Sequence, residues 1–135
     1  MKTILIVDDD EALVESVTDV LTTEGYSVIT AANGEIGYNM AVDKKPDLIL
    51  LDVMMTHDHE GFGVAKKLRQ NDVTRKLPII IITGIRKARG LPFGYEPDED
   101  WLPVQAVLEK PVDPSALLRH VKNVFLEAVG KQPVQ

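Results

Sequence analysis

ILIVDDDE occupies residues 4–11: four aliphatic residues run without a spacer into Asp8, Asp9, Asp10 and Glu11. Carboxylates packed together repel, by about 4 kcal/mol for a pair 4 Å apart at an effective dielectric of 20. The stretch therefore needs either water or a counter-charge. Two further runs have the same aliphatic character, at residues 48–51 and 79–82. Unbroken Ile, Leu and Val suit strands covered on both faces, as parallel sheets are. A shorter mixed run at 26–30 and another at 106–108 complete a set of five. Between them lie helical patterns. Leu13, Val17, Val20 and Leu21 form one stripe that Gly25 ends, while 34–44 and 61–71 read as second and third helices. Asp113 and Pro114 open a last helix carrying Leu117, Leu118, Val121 and Phe125 inward. Strand and helix alternate, which predicts an α/β sheet with right-handed crossovers and helices on both faces. In such a sheet ligands bind beyond the carboxyl ends of the strands.

With 135 residues, 44% of them hydrophobic and 27% charged, the chain has the size and balance of one soluble domain. A net charge of −6 argues against binding nucleic acid or an anionic membrane, each of which calls for a basic face. There is no cysteine, which removes disulfides, thiolate catalysis and Cys-ligated zinc. The apolar run at 4–7 is far shorter than the roughly 20 residues of a membrane span, and a cytoplasmic location is expected.

The acids now acquire a position. Asp8 and Asp9 follow the first strand, Asp52 the third, Thr83 the fourth and Lys110 the fifth. Singly, each has an ordinary reading. Acids at a helix start are stabilised by its dipole, Asp52 suits a turn, Thr83 a strand end and Lys110 a surface. Four strands delivering polar groups to one sheet edge instead describe a site. Close carboxylates without His or Cys favour Mg²⁺, which takes one or two carboxylates together with a phosphoryl oxygen. Lys110 adds a positive charge and Thr83 a donor, as a transferring phosphoryl group requires. Asp52 is the natural nucleophile, because a carboxylate can form an aspartyl-phosphate.

These motifs, VDDDEA, LLDVMM, IITG and LEKP in that order, resemble the receiver domain of two-component response regulators in its single-domain form. The resemblance spans residues 2 to about 127. It implies a flavodoxin-like, doubly wound sheet of five parallel strands in the order 2-1-3-4-5, with a receiver domain at 1–127 and a short flexible tail at 128–135. It also implies phosphorylation of Asp52 by a histidine kinase or phosphotransfer protein. Mg²⁺ would be held by Asp9, Asp52 and the Met54 backbone carbonyl, with Asp8 assisting. Thr83 and Lys110 would engage the phosphoryl group, and the Lys110–Pro111 bond would be cis. Signalling would pass through a changed surface to a downstream protein, the domain acting as a monomer or weak homodimer. In this reading the chain is a phosphoacceptor, not an enzyme.

Three features depart from that family. Val107 stands where an aromatic residue is usual. Thr56 replaces a proline in the loop after Asp52, and Gly61 arrives one residue late. The segment between Thr83 and Lys110 is long and contains Pro92, Pro97 and Pro103, each costing a helix interior about 3 kcal/mol. The fourth helix is therefore expected to be shortened or irregular, with a turn near 85–89 and another at 98–102. Phe93, Tyr95 and Trp101 in this segment either pack over the sheet or form a partner or dimer surface. His57, Asp58, His59 and Glu60 share one short loop and read as solvated. Two alternatives stay open. One is a degenerate receiver acting only as a binding module. The other is a Mg²⁺-dependent phosphohydrolase, although Met54 stands where such enzymes place a second aspartate.

Overall fold

Aliphatic side chains on both faces of a strand demand cover on both sides, and the computed structural model meets that demand. It describes residues 1–52, 60–83 and 106–130, the side chains of 60–62, 83 and 127–130 excepted. The strands are β1 (Thr3–Val7), β2 (Ser27–Ala31), β3 (Leu48–Asp52), β4 (Ile79–Thr83) and β5 (Ala106–Glu109). The helices are α1 (Glu11–Thr23), α2 (Gly34–Lys44), α3 (Glu60–Gln70) and α4 (Pro114–Gly130). All strand pairings are parallel and the order is β2-β1-β3-β4-β5. This is the doubly wound order that the resemblance implied. The fifth strand and the 34–44 helix lie where the sequence places them. β2 sits one residue later than expected, α3 begins one earlier, and α4 runs to Gly130, into the stretch read as tail. The expected turns at 85–89 and 98–102 lie outside the described residues.

Alternation along each strand sorts the core into two layers. Leu5, Val7, Ile49, Leu51, Ile79 and Ile81 pack under α2 and α3, with Val107 half-buried against them. Ile4, Ile6, Leu48, Leu50, Ile80 and Ile82 pack under α1 and α4. The central strands are almost wholly out of water, β3 being buried at all five positions and β1 at every position but Thr3. At roughly 1.5–3 kcal/mol for each buried aliphatic side chain, this sheet is the main source of stability. The non-ligand end is pinned by Asp47. Its Oδ2 accepts from the Thr3 amide at 2.8 Å, and its own amide donates to the Thr3 carbonyl at 2.7 Å.

Helix ends follow local chemistry. Asp10, Asn33 and Asp113 accept from the amides of Leu13, Ile36 and Ala116, capping α1, α2 and α4. Gly25, at φ 95°, closes α1. Its amide reaches the Thr22 carbonyl and that of Tyr26 the Leu21 carbonyl, the paired bonds of a left-handed helix stop. After α3, the Arg69 guanidinium donates to the carbonyls of Thr74, Arg75 and Leu77, holding the turn that feeds β4.

α2 has no large apolar stripe; its buried residues are Gly34, Gly37 and Ala41. Small residues let the helix backbone settle directly on β1. A methyl group on Gly37 would lie 2.6 Å and 2.9 Å from the two Val7 methyls. Gly37→Ala should therefore cost stability despite alanine's better helix propensity, by about 1–3 kcal/mol as overpacking does. Denaturant titration of Gly37→Ala, Val7→Ala and the double variant checks this. The double variant should recover part of the Gly37→Ala loss, and strict additivity would refute the contact.

Candidate functional site

Parallel register decides which residues meet. Val7 pairs with both Ala31 and Leu51, Asp52 pairs with Ile82, and Thr83 pairs with Glu109. The residues at or just beyond these pairs, Asp8, Asp9, Asp52, Thr83 and Lys110, therefore share the carboxyl edge of the sheet. The Asp8 amide donates to the Ala31 carbonyl at 3.0 Å, extending the ladder one step past β1. Its Oδ1 then accepts from the Asp10 amide at 2.9 Å, turning the chain into α1. Asp8 is thus fixed by backbone on both sides.

Asp8 and Asp52 are buried, at 4% and 1% exposure. Lys110 Nζ stands 3.2 Å from Asp8 Oδ2 and 3.5 Å from Asp52 Oδ2, one ammonium shared by two carboxylates. Asp9 is exposed at the mouth, yet one oxygen each from Asp8, Asp9 and Asp52 can lie within 4.8 Å of the others. Burial, with Asp52 close by, pushes the Asp8 carboxyl up to about 6, against the opposing pull of the Asp10 amide and Lys110. Burial lowers the basicity of Lys110, but Asp52 and Asp8 outweigh it and hold the ammonium above its ordinary value.

Three carboxylates around one ammonium leave an excess of negative charge. Asp8 Oδ2 is the buried side-chain oxygen that has no hydrogen bond among the described residues; Lys110 meets it as an ion pair off the hydrogen-bond direction. A donor set made wholly of carboxylate oxygen, with an under-satisfied buried oxygen, fits a small hard cation such as Mg²⁺.

Asp8, Asp9, Asp52 and Lys110 are thus brought together as their strand-end positions predict. Thr83 closes β4 at the same edge, though its side chain is not among those described. Met54, Phe93, Tyr95 and Trp101 lie outside the described residues. The Lys110–Pro111 bond is cis, as the resemblance implied. The sequence reading missed the wall supplied by β2. Beside Asp8 and Asp9 a cleft of about 520 Å³ opens, lined by Glu11, Glu15 and Thr30 among others. The signal for it was the strand following Gly25, whose carbonyl at Ala31 holds Asp8. Alanine itself offers no chemistry to notice.

Comparison with known proteins agrees with this geometry. Residues 4–122 match the response regulator receiver domain family. Response regulator PleD of Caulobacter vibrioides is 37% identical over 125 residues, covering 90% of this chain and 25% of PleD's length. Protein PilH of Pseudomonas aeruginosa is 33% identical over 128 residues, covering 93% of this chain and 98% of PilH. The solved structure of chemotaxis response regulator CheY4 of Vibrio cholerae superposes with a TM-score of 0.78 at 27% identity, over 92% of this chain and 98% of CheY4. The chain belongs to the response regulator receiver domain family, the phosphorylation-based signalling modules of two-component systems. Among the described residues no helix is long and apolar enough to cross a membrane.

The raised Asp8 pKa carries a sign. A proton held in the folded state up to about pH 6, but only to about 3.8 unfolded, stabilises the fold at low pH. Metal-free protein should therefore lose stability from this group as pH rises through that window. Urea midpoints in EDTA between pH 4 and 7 test this, and Asp8→Asn should flatten the wild-type slope. Parallel profiles would overturn the assignment. A cation drawn to this acidic cluster would compete with the Asp8 proton, so its binding should weaken as pH drops below about 6.

Proposed function

We propose that the chain is a receiver that accepts a phosphoryl group on Asp52 from a histidine kinase or phosphotransfer protein. The observation that carries this reading is the convergence of Asp8, Asp9, Asp52 and Lys110 at one sheet edge. Asp52 ends a fully buried strand, so its carboxylate is held rigidly in a site that excludes most water. Lys110 is close enough to follow charge that arrives on Asp52. Thr83, one residue beyond the Ile82 that pairs with Asp52, would donate its hydroxyl to a phosphoryl oxygen. Asp9 and Asp52, with the Met54 carbonyl and with Asp8 assisting, would hold Mg²⁺. Bound there, the ion neutralises charge developing on the transferring group.

Phosphorylation adds roughly one further negative charge and three acceptor oxygens at Asp52. Lys110 and Thr83 are then drawn toward it; β4, which Thr83 ends, leads directly into the 84–105 segment, and that segment leads into β5, which Lys110 follows. This biases an existing equilibrium between two surfaces and does not require a new fold. The downstream target is a protein, and Phe93, Tyr95 and Trp101 are the residues proposed to meet it. The chain covers 98% of PilH and 25% of PleD, so its relatives include a protein of receiver length and one that is much longer.

Intact mass after incubation with Mg²⁺ and acetyl phosphate tests the proposal. One labile phosphoryl adduct is expected, absent in Asp52→Asn and absent without Mg²⁺. Beryllofluoride with Mg²⁺ should raise the melting temperature of the wild type and not of Asp52→Asn, since a ligand at about 100 times its Kd adds about 2.7 kcal/mol. An adduct that survives Asp52→Asn refutes the assignment. Failure of both reagents makes the domain a binding module, and many turnovers on a small phosphoester make it a hydrolase.

A further inference from the structure

Charge is strongly segregated in this chain. Residues 8–24 contain seven acids and no base, whereas residues 63–78 contain five bases and one acid. The fold places these segments on opposite faces of the sheet, because α1 packs with α4 on one face and α3 with α2 on the other. Glu11, Glu15 and Asp19 are exposed on α1, and Lys66, Arg75 and Lys76 are exposed on α3 and the turn after it. None of the six enters an ion pair among the described residues. The basic side is also a fixed surface. Arg69 ties the carbonyls of Thr74, Arg75 and Leu77 to α3, and Asn71 donates to the Tyr38 hydroxyl at 2.9 Å, joining α3 to α2.

The two patches cannot meet within one molecule, since the whole sheet lies between them. We propose that they meet between molecules: the basic α3 face of one copy docks on the acidic α1 face of a second. Charge complementarity identifies the occupant as another copy of this chain. The patches differ from each other and point in opposite directions, so the contact is heterologous and head-to-tail, and it extends as short open chains unless the rotation closes a ring. Overall charge opposes it, each copy carrying −6. At about 0.1 M salt, however, the Debye length is about 10 Å, which screens repulsion across a domain's width and spares contacts at ion-pair distance. Exposed pairs contribute at most about a fivefold factor each, so the assembly is weak, needs several pairs in register, and dissolves in high salt.

Sedimentation velocity of the full chain over a concentration series tests this. At about 0.1 M NaCl the weight-average coefficient should rise with concentration; at about 1 M, where the Debye length is about 3 Å, the rise should vanish. One variant carries Lys66→Glu, Arg75→Glu and Lys76→Glu; a second carries Glu11→Lys, Glu15→Lys and Asp19→Lys. Each alone should stay monomeric, and an equimolar mixture should associate, now with a single complementary pairing. All six positions are exposed, and an unchanged circular dichroism melt establishes folding. Absence of concentration dependence in the wild type at about 0.1 M overturns the proposal. So does association that persists in either variant alone, or a mixture that remains monomeric.

Discussion

Asp8 and Asp52 are almost entirely removed from water and share one ammonium, that of Lys110. Ionised groups in such surroundings are costly unless paired, and here two negative charges face one positive charge with Asp9 waiting at the mouth. Local contacts alone would not hold the acids in place. Asp8 and Asp52 are held because each stands at or one step past the end of a strand whose preceding four side chains are buried aliphatics, and because the Ala31 carbonyl and Asp10 amide lock Asp8 into the ladder. The hydrophobic free energy of the sheet offsets the electrostatic cost of the site.

That imbalance is also what gives the edge its chemistry. A site with surplus negative charge and a buried oxygen lacking a hydrogen bond is prepared for cations, and its all-oxygen donor set suits hard ones such as Mg²⁺. The base comes from far along the chain: Lys110 follows β5, at the opposite side of the sheet from β2. Its reach to both Asp8 and Asp52 couples that outer strand to the middle of the sheet. Val107, two residues before the end of β5, packs half-buried under the α2–α3 layer, so this strand touches the core as well as the site. A receiver without an aromatic residue there still has a physical link between site and surface.

The same segregation that makes the edge acidic leaves the other side of the molecule basic. Seven acids in 17 residues raise the potential cost of α1, and the first of them is offset by Lys110 from across the sheet. The last, Glu24, is met by Lys122 of α4 at 3.3 Å. Charges between these ends have no such neighbour among the described residues, which is why the outer surface of α1, and not only its tip, bears on how the domain meets other molecules.

Composition and order alone marked five strands, an α/β sheet covered on both faces and the four motifs at strand ends, because unbroken Ile, Leu and Val runs report burial on both faces and the residue after each run has one place to go. The doubly wound order came from the resemblance to receiver domains. Sequence could also mark the acids, the lysine and the threonine as candidates. It could not show that Lys110 would be shared between two carboxylates, that burial would raise Asp8, or that β2 would supply the cleft wall through Ala31. Nor could it anticipate Gly37 lying against Val7, or α1 and α3 facing opposite ways with opposite charge. Those depend on distances between residues far apart in the chain, and only the parallel register of the folded sheet sets such distances.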